Sequence, residues 1–395
     1  MIRADVLVVG LGPAGAATGI RLARAGLDLI AIDRAAFPRD KACSEYMSPE
    51  TVRHLDQLGV LAQLEPQGVP LHGATVIGAR GTTLIGLFRE AGVTPFRPTG
   101  LSLARRILDA ALVDEARRRG VRILERTRLV GLTRGGALVE CEGRRFEIQA
   151  RVVVGADGLQ SVTSRLLGGR RHGVPRRYAF VAHVEGVTGV GRTAEMHVGR
   201  GGYVGINGVG GGLTNVAVVV AADRAFAARG DPVGFWLKTI ESFPRLRGRI
   251  SADRLARPVL VSGPFAVWSR TVVADGVLLV GDAADFFDPF TGEGICAALR
   301  GAELAADTLI GALARPGVVT RARLAPYVRA RRRAFLGKWA VERMIGWGML
   351  APRLFDHALG RLERRGLAHT LVGVTGDFVP AREVLRPGFL AAMVV

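Results

Sequence analysis

The 395-residue chain carries 54 Lys and Arg against 35 Asp and Glu, a formal charge of +19, and 49% of its residues are apolar. That much apolar sequence fits a globular protein of two or three domains with a sizeable core. Its three cysteines, Cys43, Cys141 and Cys296, exclude a disulfide framework and a cysteine metal site, so a reducing, cytoplasmic setting is expected.

The cations are mostly arginines in separate clusters such as Arg117 to Gly120, Arg170 to Arg177, Arg329 to Arg333 and Arg361 to Arg365. They lack interleaved aromatics for base stacking, so no nucleic-acid partner is expected; affinity for anionic lipid or an acidic carrier is the weaker second reading. The chain opens on a short strand rather than on a secretory leader. Thr214 to Ala222, its best apolar run, is far short of the roughly 18 residues that span a bilayer, so any membrane contact is expected to be peripheral.

In chain order, Asp5 to Arg34 reads as strand, glycine turn, helix and second strand, a complete βαβ unit. A loop to Met47 follows, then a helix capped by Ser48 with Pro49 in its first turn. Ala104 to Gly120 has helical spacing, and Val121 to Leu124 resumes as a strand. Arg128 to Gln149 suggests a meander and Arg151 to Gly158 a buried strand. From Gly173 to Gly263 strands dominate, with one helix near Pro232 to Phe243. Val277 to Val280 rejoins the first unit, and from Gly292 onward the chain reads as helix.

GLGPAG fits the dinucleotide fingerprint in full context: a strand precedes it, a helix follows and Asp33 ends the second strand. Gly10 permits the turn, Gly12 lets backbone approach a pyrophosphate and Gly15 allows close helix packing. Pro13 and Ala14 start the helix whose N–H groups face the anion, Asp33 would accept from ribose hydroxyls, and Arg34 lies beside it. The stretch GDAADFFDPFTGEGI, Gly281 to Ile295, sits at the carboxyl end of a buried strand, where ligands bind in open α/β sheets. Pro289, Gly292 and Gly294 would let backbone press on a flat ring, and the helix beginning near Gly292, with Ile295 in its first turn, would aim its positive end there.

Taken together, GLGPAG, the ADG of Ala156 to Gly158, and GDAADFFDPFTGEG resemble the flavoprotein superfamily of p-hydroxybenzoate hydroxylase, flavin-dependent halogenases and geranylgeranyl reductases. The resemblance implies an α/β class: a Rossmann-like FAD-binding domain (1–72, 98–172 and 263–325), an inserted, mainly antiparallel β-sheet substrate domain (73–97 and 173–262) and a C-terminal helical region (326–395). It implies that Asp282, after Gly281, binds the ribityl chain of FAD, that Asp157 lies near the pyrophosphate and helps with NAD(P)H, and that Arg105 reaches the FAD phosphate or ribityl region. No second nicotinamide domain is present, so NAD(P)H is expected as a transient reductant.

The loop Phe37 to Pro49 is similar to the KxCGEGLSP-like sequence of the reductase branch at Lys41, Cys43, Ser48 and Pro49, with Ser44, Glu45 and Tyr46 in place of its centre. In the YxWxFP-like substrate motif only Tyr203 matches; Gly205, Asn207 and Gly208 replace the larger residues. No WxWxIP-like halogenase element is present. His183 and His197 read as structural, and the Trp, Met and Leu of Phe335 to Leu350 read as core. The leading expectation is an FAD-dependent monooxygenase using NAD(P)H and O2 on an aromatic or polyketide-like small molecule, hydrophobic or carrier-presented, in specialised metabolism. Its lining candidates are Cys43, Tyr46, Tyr203, Asn207 and Pro289, and no metal is expected. The alternative is a geranylgeranyl reductase-like enzyme acting on prenyl or other alkenes. A third is a basic nucleic-acid or surface-binding protein on a flavin fold.

Overall fold

The computed structural model describes residues 2–394. Strands buried on both faces build a mainly parallel sheet. Its order is Val273–Ala274, Val277–Leu279, Arg144–Gly155, Ile2–Val9, Leu29–Ile32 and Arg122–Leu124. The first two form an antiparallel hairpin and the rest are parallel. Alternation along Ile2–Val9 sends Val6 and Val8 into a core made with the helices Pro13–Arg24, Arg105–Arg118 and Gly294–Leu313. Leu7 and Val9 point the other way, against the meander of Thr127–Thr133 and Gly136–Cys141.

Register sets up the site. Val9 pairs with Ile32 and with Gly155, and Gly155 pairs with Leu279. Four strands therefore end level, and Gly10, Asp33, Asp157 and the Gly281–Ala283 turn fall along one edge of the sheet.

The second sheet has seven strands in the order Leu260–Ser262, Arg177–Glu185, Leu213–Ala221, Gly202–Gly210, Ala194–Gly199, Gly73–Ile77 and Thr83–Leu87. It is antiparallel except where Ala194–Gly199 joins Gly73–Ile77. One face, with Phe180, Val204 and Val218, packs on the helix Pro232–Glu241 through the fully buried Trp236. The other, with Val181, Tyr203 and Val219, is covered by the long helix Arg321–Gly348 and the helices Pro352–Arg364 and Ala368–Thr375.

Several elements match their sequence signals. Ser48 caps the helix Pro49–Leu58 by accepting from the Thr51 amide, and Gly59 ends it at φ +79°. The helix expected from Gly292 begins instead at Gly294, because Gly292 closes a short 3-10 turn, Pro289–Thr291, in the left-handed conformation. Of the Trp, Met and Leu residues assigned to core between Phe335 and Leu350, Met349 is buried and Trp339 and Met344 are half-buried, whereas Leu336, Trp347 and Leu350 are exposed.

Candidate active site

The fingerprint glycines divide their roles by what surrounds them. A Cβ on Gly10 would lie 2.5 Å from the Ala156 carbonyl oxygen, and one on Gly15 would lie 1.8 Å from the Gly10 carbonyl oxygen. Both glycines are therefore needed for close packing. A Cβ on Gly12 would meet no backbone; its neighbours are Nη2 of Arg39 and Nη2 of Arg105, each 3.8 Å away. Gly12 also begins the helix Pro13–Arg24, whose first amides have no side-chain cap. Two guanidinium groups facing an uncapped helix N-terminus suit a pyrophosphate.

Both guanidiniums are fixed by Asp109, a fully buried residue absent from the sequence reading. Arg105 donates to its two carboxylate oxygens at 2.8 Å each, and Arg39 lies 3.0 Å from Oδ2. Burial works against the Arg105 charge, but Asp109 and the adjacent Cys43 outweigh it and hold the guanidinium above its ordinary range. The signal was present in the sequence as an Arg and an Asp four residues apart on one helix face.

Asp282 follows the turn at Gly281, where a Cβ would crowd Ala14 at 2.9 Å. No described residue donates a hydrogen bond to its carboxylate. Burial pushes that carboxyl up, while Lys41, Arg105 and Arg170 pull it back. The Lys41 ammonium is pushed down by burial and by Arg105, with Asp282 opposing. Arg170 donates to the Asp282 backbone carbonyl at 2.6 Å and also bonds the Leu159 carbonyl, fastening the turn to the loop after Asp157. A half-buried carboxylate with three cations acting on it and no donor among the described residues is what a hydroxylated ribityl chain would complete, so these residues fit FAD.

Other predicted residues stand elsewhere in the network. Asp33 takes the amides of Leu11 and Ala35 on separate oxygens, at 2.8 and 2.9 Å, so it shapes the turn. Arg34 is exposed. The Asp157 carboxylate is taken up by Ser161 Oγ, Thr163 Oγ1 and the amides of Val162 and Thr163, which makes it the clamp of the short helix Val162–Leu166. The ring pressing on Gly292 is that of Tyr46, whose Cδ1 would lie 2.6 Å from an added Cβ. Gly294 faces Phe286, Ile295 is buried and Pro289 is half-buried in its turn.

Two residues expected to line a substrate are committed to the protein. Tyr203, 3% exposed, donates to Asp288 at 2.7 Å, and Asp288 also pairs with Arg177. Asn207 donates to the Ser44 carbonyl at 3.1 Å and to Ser102 Oγ at 2.6 Å. Asn207 belongs to a row that crosses three neighbouring strands, because Asn215 pairs in register with both Asn207 and His183. Asn215 donates to the Cys43 carbonyl at 2.8 Å, and His183 Nε2 sits 2.6 Å from Glu45 Oε2. The row thus holds the 43–45 loop, in which the buried Glu45 adopts φ +59° and takes the Arg105 amide on its other oxygen. Cys43 Sγ accepts from the Glu45 amide at 3.3 Å, which leaves its S–H hydrogen as a donor.

A second buried group lies behind the Gly292 turn. Ser48 Oγ donates to Glu293 Oε2 at 3.3 Å, Glu293 Oε1 has no hydrogen-bond partner among the described residues, and Lys338 pairs with Asp377 beside Cys296. Burial pushes the Glu293 carboxyl up to about 8, with Lys338 opposing and Asp377 adding to the rise.

The chain belongs to the FAD-binding domain family, whose model matches residues 3–336, and it is an FAD-dependent oxidoreductase. It is 31% identical over 342 residues to digeranylgeranylglycerophospholipid reductase 1 of Methanothermobacter thermautotrophicus, covering 82% of this chain and 81% of that one. It is also 31% identical over 330 residues to the menaquinone reductase of Mycobacterium tuberculosis, covering 78% and 76% respectively. Among solved structures, a flavoprotein/dehydrogenase from Cytophaga hutchinsonii superposes with a TM-score of 0.84 at 19% identity, over 99% of this chain and 96% of that one. The resemblance to the p-hydroxybenzoate hydroxylase and geranylgeranyl reductase superfamily holds.

Proposed function

We propose that the protein is an FAD-dependent reductase that saturates isolated carbon–carbon double bonds of a prenyl-type or similarly apolar substrate, with NAD(P)H as the transient reductant. The observation that supports it best is the 31% identity, over 82% of the chain, to a reductase of geranylgeranylated phospholipid. The loop with Lys41, Cys43, Ser48 and Pro49 adds to it. An oxygenase on the same fold has less behind it, since Tyr203 and Asn207, which were to line its substrate pocket, are held by Asp288 and by Ser44 and Ser102.

In this reading FAD, when bound and reduced, would supply the hydride for alkene reduction. The chain's residues do the rest. Arg39 and Arg105, set by Asp109, hold the diphosphate, and Asp282 receives the ribityl hydroxyls. The row of His183, Asn215 and Asn207 fixes the loop so that Cys43 Sγ delivers a proton to one alkene carbon. The S–H bond breaks, the C–H bond forms, and the thiolate is stabilised by the neighbouring Arg105 until solvent reprotonates it.

The test is anaerobic turnover of the FAD-loaded protein with NAD(P)H or dithionite and a geranylgeranylated glycerophospholipid, read by mass spectrometry. Gain of H2 per double bond without oxygen supports the reading. A product heavier by one oxygen atom, formed only in air, refutes it.

A further inference from the structure

The outer face of the long helix Arg321–Gly348 and its corner into Pro352–Arg364 carries large apolar side chains that the described residues leave more than half exposed. Trp347 is 55% exposed, Leu350 62% and Leu354 56%, and Val174 from the neighbouring loop is 71% exposed. The patch is continuous: Trp347 Nε1 donates to the Val174 carbonyl at 3.3 Å, and the Leu350 amide bonds the Trp347 carbonyl one turn on. Scattered exposed apolar residues are ordinary, but four at one corner are not.

Cations ring this corner. Arg171 and Arg176 flank Val174, Arg353 precedes Leu354, and Arg329, Arg332 and Arg333 extend along the same helix; all six are exposed. The helix holds a single acid, Glu342, among its 28 residues, and Glu342 faces inward toward Lys338. A cavity of about 320 Å³ opens beside the helix, walled by Trp268, Phe286, Phe287, Val328 and Trp339, with Arg331, Arg332 and Arg343 among its lining. Its lining includes the exposed Val328 and Arg332 together with Phe286 and Phe287, which belong to the loop that carries Asp282. An aromatic-walled space of that size accepts an apolar chain.

We propose that this corner docks the protein on an anionic lipid surface, with Trp347, Leu350 and Leu354 inserted at headgroup depth and the arginines on the phosphates around them. An indole at the boundary between an apolar patch and a cationic ring is the arrangement of an interfacial anchor. A second copy of the chain fits less well, because two such faces would bring their arginine rings together in a protein of charge +19. Nucleic acid would leave the apolar centre unmatched. The cavity shares the long helix with the docked face and Phe286 and Phe287 with the Asp282 loop, so an apolar chain would be taken up there; this last step rests on the reductase reading, whereas the docking does not.

The experiment is flotation of the FAD-loaded protein with vesicles of phosphatidylcholine alone and of phosphatidylcholine mixed with phosphatidylglycerol. Binding is expected to the mixed vesicles, weakly or not at all to the neutral ones, and to fall as salt rises. Trp347→Ser with Leu350→Ser should lower the partition by on the order of tenfold, with flavin content and size-exclusion elution unchanged. Ile310→Ser with Val318→Ser, which removes exposed apolar side chains just before the start of the long helix, away from Trp347 at its other end, should leave it as it was. The proposal is overturned by equal binding to neutral vesicles, by no binding to the mixed ones, by equal losses in both variants, or by a first variant that only splits an oligomer. Because no turnover is read, failure of the reductase assignment leaves this test intact.

Discussion

Gly12 and Gly15 lie in the same short turn, yet replacing each with alanine should damage different properties. At Gly12 the backbone is at φ −69° and ψ −175°, which any residue adopts, and a new methyl would have guanidinium nitrogens 3.8 Å away as its nearest neighbours. Alanine at a helix N-cap costs up to about 1 kcal/mol, and the lower entropy of the unfolded chain returns about 0.4–1 kcal/mol. The FAD-free Gly12→Ala protein should therefore melt within ~2 °C of the parent. The methyl would, however, occupy the space between Arg39 and Arg105 that the pyrophosphate must enter. Loss of one charge-assisted hydrogen bond there, about 1.5–3 kcal/mol, weakens FAD binding roughly 10- to 150-fold. At Gly15 the new carbon would sit 1.8 Å from the Gly10 carbonyl oxygen, so helix and strand must part by more than an ångström. Overpacking of that kind costs about 3 kcal/mol, so the FAD-free protein should melt roughly 4 °C lower. Thermal melts of FAD-free protein and titration of flavin fluorescence separate the two effects. Parental FAD affinity in Gly12→Ala, or equal losses of melting temperature in both variants, would refute the reasoning.

Asp109→Ala should leave the buried Arg105 and the half-buried Arg39 without their counter-charge, costing about 3 kcal/mol of stability and weakening FAD binding; a melting temperature within error of the parent would count against the clamp. Asn207→Leu, which takes two donor bonds from the 43–45 loop and Ser102, should lower turnover while FAD affinity stays near the parental value, and an unchanged kcat would show that the loop needs no such tether. Glu293 binds its proton more tightly in the folded chain, at about 8 against 4.5, so its contribution is full below pH 4.5 and disappears as pH rises through about 8. Glu293→Gln should therefore gain stability relative to the parent between pH 5.5 and 8.5, leaving the slope due to Glu342, which burial also pushes up to about 8. Parallel melting curves for the two proteins across that range would exclude the assignment.

The fingerprint and Asp282 were legible because each is a local pattern: glycines at fixed offsets after a buried strand, and an aspartate at the carboxyl end of another. The roles of Tyr203 and Asn207 were not. Strand alternation does turn both toward the covered face of the second sheet, but their partners, Asp288 and Ser44, lie 85 and 163 residues away in sequence. Glu45 was read only as part of the altered loop centre Ser44 to Tyr46, and only the fold brings the Arg105 amide and His183 to its two carboxylate oxygens. Glu293, between Gly292 and Gly294, was given no role from the sequence, because its buried carboxylate depends on Ser48 and on the C-terminal helices.

The level strand ends of the first sheet also govern when the site comes into being. Gly10 and Asp282 stand on one sheet edge but leave the ribosome far apart, roughly 15 to 55 s at ordinary rates of synthesis. Throughout that interval the fingerprint turn has no Asp282 across from it, and neither the strand Val277–Leu279 nor the helix Gly294–Leu313 is there to support it. Cofactor capture is therefore a late event in the life of this chain, completed only after the whole inserted sheet has been made, and nascent chains stalled before Val277 should emerge without flavin.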